Sequence, residues 1–414
     1  MRRHAGPVPY SWRRVLPQRG RNVARSIMRK LSAAPFVPIL FALSLSLAAT
    51  PAPSHAGDAG TQEILLGQSL SLSGRWSRNA TLYRQGALLY FDDINAAGGI
   101  HGRRIRLLTL DDRSNSQLVR SNTAQLIAAG KILALFGYSG TAPSLAALPL
   151  AMRAGVPFFA PRAGSPLLHK RGGRMLFTVR AGHRRELDFL LRQIAGMGLD
   201  RVALLHPDDA QGYADVSLAA ELLYLYGGNL VAGVPSAGPF AETFELEEIA
   251  DALLRSAPKA ILINGDVVSS AAIIRTLRAR RYAGVMYAMS QAGGKALAEQ
   301  LGEMGKGVAV TQTVPFPWRG SARIAVEYRE AAKAAGGLPS FVGLEGYIAA
   351  KVLCEGLRRS GRQPTREKLV QALESINDRN YDVGGFSINF SASSHDGSQY
   401  VDTSAISHSG AFVN

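Results

Sequence analysis

The sequence predicts an α/β protein of two lobes, each with a parallel-sheet core. Three observations carry this. From residue 63 to residue 301, short β-rich apolar runs alternate with longer segments of helical apolar period, as strands covered by helices do. The alternation comes in two series, the second beginning after 179–184, which implies two sheets. Several predicted strands run into small polar loops, the usual ligand crevice at strand C-terminal ends.

Taken in order, 63–70 reads as a strand, 83–97 as a helix, 105–111 as a strand and 117–129 as a helix. Residues 132–137 follow as a strand, 144–154 as a helix and 157–160 as a short buried strand. The second series has helix 186–196, strand 202–206, helix 214–225, strand 229–234 and helix 246–256. It continues with strand 260–264, helix 269–279, strand 285–288 and helix 295–301. Residues 345–354 also show helical spacing, and the single cysteine, Cys354, reads there as a packing thiol.

With 47% hydrophobic and 19% charged residues, whole-chain disorder is excluded. The net charge of +16 is not a nucleic-acid signal, because residues 1–56 hold nine Arg or Lys and no Asp or Glu. Without those nine, 38 basic residues face 31 acidic ones, mixed along the chain, and clusters such as Arg278-Ala279-Arg280-Arg281 read as solvated helix faces. The N-terminal segment reads as a secretory signal peptide. Arg29-Lys30 precedes an apolar run over 36–49, and Ser54-His55-Ala56 follows as a small-x-small cleavage site. Met28 opens a conventional leader by itself and is the expected translation start. The apolar run is shorter than the roughly 20 residues a spanning helix needs. With no cysteine directly after the cleavage site, the expected product is periplasmic and not membrane-anchored.

The loop Gly137-Tyr138-Ser139-Gly140-Thr141 joins a strand to a helix. Glycine there allows close backbone approach, and hydroxyls at the helix N-terminus make an anion site or simply cap the helix. Enzyme motifs are missing. The sequence holds no G-x-G-x-x-G after the first strand, no phosphate-binding G-x-x-x-x-G-K-[ST], no G-x-S-x-G elbow and no metal-ligand histidine spacing. Neither catalysis nor a cofactor is expected.

Further motifs then follow in a recognisable order: Leu70-Ser71-Leu72-Ser73-Gly74, Asn95-Ala96-Ala97-Gly98-Gly99-Ile100-His101-Gly102, Asp111-Asp112 and Gly137-Tyr138-Ser139-Gly140. After them come Gly155-Val156-Pro157-Phe158-Phe159-Ala160-Pro161, His206-Pro207-Asp208-Asp209 and Phe341-Val342-Gly343-Leu344-Glu345-Gly346-Tyr347. On these the chain resembles the type I periplasmic binding proteins of ABC transporters, most closely the branched-chain and hydrophobic amino-acid binders. The resemblance implies two Rossmann-like lobes joined by three hinge crossings, near Arg180-Ala181, near residues 311–314 and near Asn389. Lobe 1 is then 61–180 plus 313–388, and lobe 2 is 181–312 plus 389–414. It also implies a monomer that captures a small-molecule ligand and delivers it to permease subunits in the inner membrane. The alternative is the same capture in the service of a membrane receptor.

Site residues carried by the resemblance are Ser139 and Thr141 for a ligand carboxylate, and the contact loop Arg162, Ala163, Gly164 and Ser165. Gly164 stands where threonine is typical, and Ser165 is the nearest substitute. Gln211 takes an aromatic's place in the second lobe. Gln291 takes the place of an acidic residue that pairs the ligand's ammonium, which makes an α-amino acid a less certain ligand. Asp266 is either a replacement carboxylate or the N-cap of the following helix. Tyr138 and Trp76 are the aromatics expected at the pocket, Tyr138 the stronger of the two. Arg162 is either a surface residue or a bidentate carboxylate ligand in the cleft.

Overall fold

The computed structural model describes residues 63–74, 76–238 and 241–413. The leader, its cleavage site and the Met28 start lie outside these residues. Among the described residues no helix is long and apolar enough to cross a membrane.

The first series folds as β1 (Ile64–Leu70), α1 (Ser77–Ala96), β2 (Ile105–Asp111), α2 (Ser116–Ala128), β3 (Ala134–Phe136) and α3 (Thr141–Arg153), then β4 (Phe158–Phe159), α4 (Pro166–Gly172) and β5 (Leu176–Phe177). The second has α5 (His183–Gly196), β6 (Arg201–Pro207), α6 (Ala210–Leu225), β7 (Asn229–Ser236), α7 (Thr243–Leu254) and β8 (Ala260–Ile263). It ends with α8 (Val267–Ala279), β9 (Val285–Ala288), α9 (Gly294–Leu301) and β10 (Ala309–Gln312). After these come α10 (Arg323–Ala334), α11 (Phe341–Arg359), α12 (Arg366–Glu374), β11 (Asp402–Ile406) and β12 (Phe412–Val413).

Two sheets result, with orders β2-β1-β3-β4-β5 and β12-β11-β10-β9-β8-β6-β7. Both are parallel except that β11 and β12 add an antiparallel edge beside β10. Both faces of the first sheet are covered. Phe136, Phe159 and Phe177 pack with α1, α10 and α11 on one side, while Leu135 and Phe158 pack with α2 and α3 on the other. The core on the α1 side takes in residues from Val314 to Phe390, so the chain returns to this sheet after completing β10. The second sheet is enclosed in the same way, by α7, α8 and α9 on one face and by α5 and α6 on the other.

Helices begin earlier than apolar periodicity implies, and at α6 and α8 polar caps add a first turn that has no apolar signature. Asp209 accepts from the Gly212 N–H at 2.8 Å and starts α6 at Ala210, four residues before the predicted start. Asp266 does the same for α8, accepting from the Val268 and Ser269 N–H groups at 2.9 and 3.0 Å. Cys354 is fully buried in α11 and its thiol is pushed up by burial, which matches its reading as a packing residue.

Each sheet reverses its strand order once, between β1 and β3 and between β6 and β8. Such reversals open a crevice outside the strand ends. The loops carrying Ser139, Gln211 and Asn264 leave the sheets at these points.

Candidate functional site

Gly137 has φ of +62°, and a Cβ there would lie 2.6 Å from the Tyr83 ring. The turn it permits sends Tyr138 inward. Tyr138 is fully buried, packs edge-on to Phe158 at 4.9 Å and shares a 2.9 Å hydrogen bond with the Thr123 hydroxyl. Burial pushes its phenol pKa up. The expectation that Tyr138 lines the pocket is therefore corrected: it anchors the loop from below. Trp76 occupies the cap position of α1, half-buried, with its backbone N–H donating to Ser114 Oγ at 3.3 Å.

The loops that follow β3 and β4 in the first sheet are zipped together. The Arg162 N–H donates to the Tyr138 carbonyl at 2.7 Å, and the Gly140 N–H to the Arg162 carbonyl at 3.0 Å, which sets Ser139 beside Arg162. Ser139 and Thr141 are half-buried at the start of α3, and their hydroxyls meet no protein partner among the described residues. Ala163 is buried in the core under this loop.

The surface reading of Arg162 is corrected, because the side chain is buried. Only 8% of its surface is exposed, and its Nε lies 3.4 Å from Glu345 Oε2. Burial pulls the Arg162 pKa down, against the Glu345 charge that raises it, yet a guanidinium stays protonated. Glu345 is shared with Arg180, whose Nη1 lies 3.5 Å from Glu345 Oε1. Arg180 in turn bonds Glu186 at 3.1 Å and donates to the Ser290 hydroxyl. Glu186 also accepts from the Ser290 N–H at 3.0 Å and from Thr311 Oγ1 at 2.6 Å. Burial raises and Arg180 lowers the Glu186 pKa, and the balance is downward. For Arg180, burial lowers while Glu345 and Glu186 raise, and the balance is upward.

A second polar chain runs beside the first. Ser165 is fully buried and caps α4 by accepting from the Leu167 N–H at 3.2 Å. Its hydroxyl also donates to Gln211, so a first-sheet loop touches α6 of the second sheet. Gln211 Nε2 donates to Asp215 Oδ1 at 2.6 Å, Asn264 Nδ2 donates to Asp215 Oδ2 at 2.7 Å, and Gln291 Nε2 donates to the Asn264 carbonyl oxygen. His183 Nδ1 lies 3.3 Å from Asp215 Oδ2. The structure thus brings Ser165, Gln211 and Gln291 into one chain. Asp266 is outside it, with its side chain spent on capping α8, where Ser269 Oγ is a third donor at 3.1 Å.

Asp215, His183, Asn264, Arg180 and Glu186 were missed by sequence reasoning. The signal available was a charged residue on an otherwise apolar helical face, as at Asp215 and Glu186. His183 also accounts for Gly164. A Cβ at position 164 would lie 2.5 Å from His183 Cδ2, so the imidazole fills the space where the resemblance expects a threonine side chain. Gly164→Thr is accordingly expected to destabilise by about 1–3 kcal/mol through overpacking. In a His183→Ala background the cost should shrink by at least about 0.5 kcal/mol, a coupling that thermal or urea unfolding of the four proteins measures directly.

Between these elements lies a cavity of about 50 Å³. Arg162, Ser290, Lys295, Gln312, Ser340 and Glu345 are among its lining residues. Arg162 is the one sequence-predicted site residue in that lining. A buried cation and a buried amide donor on this lining, Arg162 and Gln312, can hold an anion here.

The family model for periplasmic binding proteins matches residues 63–410. The Leu/Ile/Val-binding protein homolog 8 of Brucella suis is 26% identical over 183 residues, 42% of this chain and 44% of the relative, so the match spans under half of that protein's length. A substrate-binding periplasmic protein from Ralstonia solanacearum has a similar fold with TM-score 0.75 and 27% identity, covering 85% of this chain and 99% of the other. A possible leucine/isoleucine/valine-binding protein from Rhodopirellula baltica aligns with TM-score 0.76 and 25% identity, over 84% of this chain and 95% of its own.

Proposed function

The chain belongs to the periplasmic binding protein family, and from that premise we propose that it is the extracytoplasmic substrate-binding component of an ABC uptake system. It captures a small carboxylate-bearing ligand between its lobes and hands it to membrane permease subunits. The carrying observation is Arg162: a nearly buried cation whose Nε has no hydrogen-bond partner and stands 3.4 Å from the one carboxylate paired with it among the described residues, Glu345, on a strand-end loop bridged to that of Ser139. A buried charge kept this way suits an anionic partner, because guanidinium binds carboxylate in two parallel hydrogen bonds.

Capture works through closure. We place the three hinge crossings near residues 180–181, 311–314 and 389, with the lobes divided there. The hydrogen bond from Ser165 to Gln211 spans the cleft, as does the ion pair of Arg78 with Glu299, and both belong to the closed shape. A ligand that bridges the lobes favours that shape, which the permease then distinguishes from the open one. The role is binding without chemistry, and the leader at 1–56 supplies export.

Ligand that binds only the native state raises the melting temperature. A panel of amino acids, aliphatic and aromatic carboxylates and small amides is expected to yield a saturable rise. Ser139→Ala should weaken it about tenfold with the fold unchanged, the cost of about one hydrogen bond to a charged group. A panel without any response, and no compaction in small-angle scattering, would overturn the reading.

A further inference from the structure

Phe412, on the edge strand β12 of the second sheet, packs against two cores at once. One is the core on the α1 side of the first sheet, the other the core under α7, α8 and α9 of the second. Among the described residues it is the one apolar side chain shared in this way between the two sheets. Its ring stands 6.2 Å from that of Phe341 at 70°, and a Cβ added at Gly294 would lie 3.0 Å from its tip. Phe341 opens α11, lines the cavity and is clustered with Phe316 and Trp318, at 5.7 and 5.2 Å.

Helix α9, which starts beside Phe412, reaches the same side of the first sheet. Lys295 Nζ lies 5.9 Å above the Trp318 ring, and Glu299 pairs with Arg78 of α1. A Cβ at Gly293 would lie 3.0 Å from Asn79 Nδ2, so the turn into α9 abuts α1 closely. Asn79, Gly293, Gly294, Lys295 and Phe341 all line the cavity, and these contacts therefore hold two of its walls together. Their weights differ. Arg78 and Glu299 are 59% and 44% exposed, and exposed ion pairs contribute little. The contact of Phe412 with Phe341 takes apolar surface out of water and contributes more.

We propose that Phe412, together with α9, is the latch of the closed shape. It is a positioning residue: it stands outside the cavity lining and acts through Phe341 and Gly294, which belong to it. This rests on the reading of two lobes that close on a ligand, and it adds what sets the balance between the shapes. The lobes meet partly through an apolar contact of the protein's own, so a ligand has only the remainder of the closure to supply.

Small-angle scattering and thermal unfolding of the ligand-free whole protein test this. Phe412→Ala should raise the radius of gyration by about 1 Å, against a compact value of about 20 Å for a chain of this size. Phe412→Leu keeps most of the apolar contact and should hold the wild-type radius. A lowered melting temperature would follow from a purely local packing role as well, whereas the radius would not change in that case. Arg78→Glu, at an exposed position, keeps the test open should Phe412→Ala fail to fold. It places two acidic groups face to face and should expand the protein by a smaller amount, and adding Glu299→Arg should reverse the expansion by restoring the pair in the opposite order. Equal radii for wild type and a folded Phe412→Ala would overturn the latch. So would a failure of Arg78→Glu to expand the protein, or of the added Glu299→Arg to restore it. None of these measurements uses a ligand, so the melting-temperature panel still decides the binding-protein reading separately.

Discussion

Glu186→Gln is expected to cost about 3–5 kcal/mol of stability, the usual loss when one member of a buried charge set is removed. Glu186 is 1% exposed and holds Arg180, the Ser290 N–H and hydroxyl, and Thr311. With the carboxylate neutralised, Arg162 and Arg180 are left to share Glu345, and all three are buried. The pH dependence has a definite sign. The Glu186 pKa is held below its ordinary value of 4.5, burial raising it and Arg180 and His183 lowering it more. A depressed carboxylate contributes stability that is fully present above the ordinary value and is lost as pH falls through the lowered, folded-state value. The difference in unfolding free energy between wild type and Glu186→Gln should therefore be flat from neutrality to about pH 4.5 and shrink below it. Urea unfolding at a series of pH values reads this, and a difference that grew in acid would refute the assignment.

Gly346→Ala should cost about 3 kcal/mol or more, at the upper end of overpacking effects. A Cβ at Gly346 would lie 2.0 Å from the Tyr83 carbonyl oxygen, and one at Gly86 only 1.8 Å from the Gly343 carbonyl oxygen. Helices α1 and α11 thus cross backbone to backbone, and no side-chain rotation relieves the clash. Tyr83 donates from this crossing to the Ala160 carbonyl at 2.9 Å, so forcing the helices apart also disturbs the strand end before the Arg162 loop. Gly196→Ala is the control. It sits exposed in the last turn of α5 with nothing within 4 Å of the added Cβ, and should be neutral or stabilise by up to about 1 kcal/mol. Thermal unfolding of the two variants separates the effects. Equal melting temperatures would show that the crossing is looser than its geometry implies.

Burial and cleft position were legible to very different degrees. The β-rich runs at 105–111 and 285–288 coincide with β2 and β9 because local apolar and β-branched content marks a strand whether it ends half-buried, as β2 does, or nearly buried, as β9 does. The short strand β5 carried no comparable contrast, whereas α10 does present an apolar face through Ile324, Ala325, Tyr328 and Ala332 and was nevertheless not assigned. At the site, the loop bearing Ser139 was legible because strand ends of a parallel sheet open on one crevice, whereas those bearing Arg162, Ser165, Gln211 and Gln291 came from the family resemblance. The direction of each side chain was not legible. Tyr138 turns into the core because Gly137 adopts a left-handed conformation, a choice that neighbouring residues do not announce.

By itself, the sequence determined the alternation of strands and helices, the division into two sheets and the small polar loops at their ends. These follow from which residues seek water over stretches of a few to twenty residues. Only the tertiary structure decided that Arg162, Arg180, Glu186 and Glu345 form one charge set, and that Asp215 rather than Asp266 is the carboxylate in the polar chain. It alone decided that His183 takes the space above Gly164. Those partners come from α5, α6, α11 and the loops of both sheets. A buried charge is defined by what is packed against it, and that depends on where the chain returns, which no local pattern encodes.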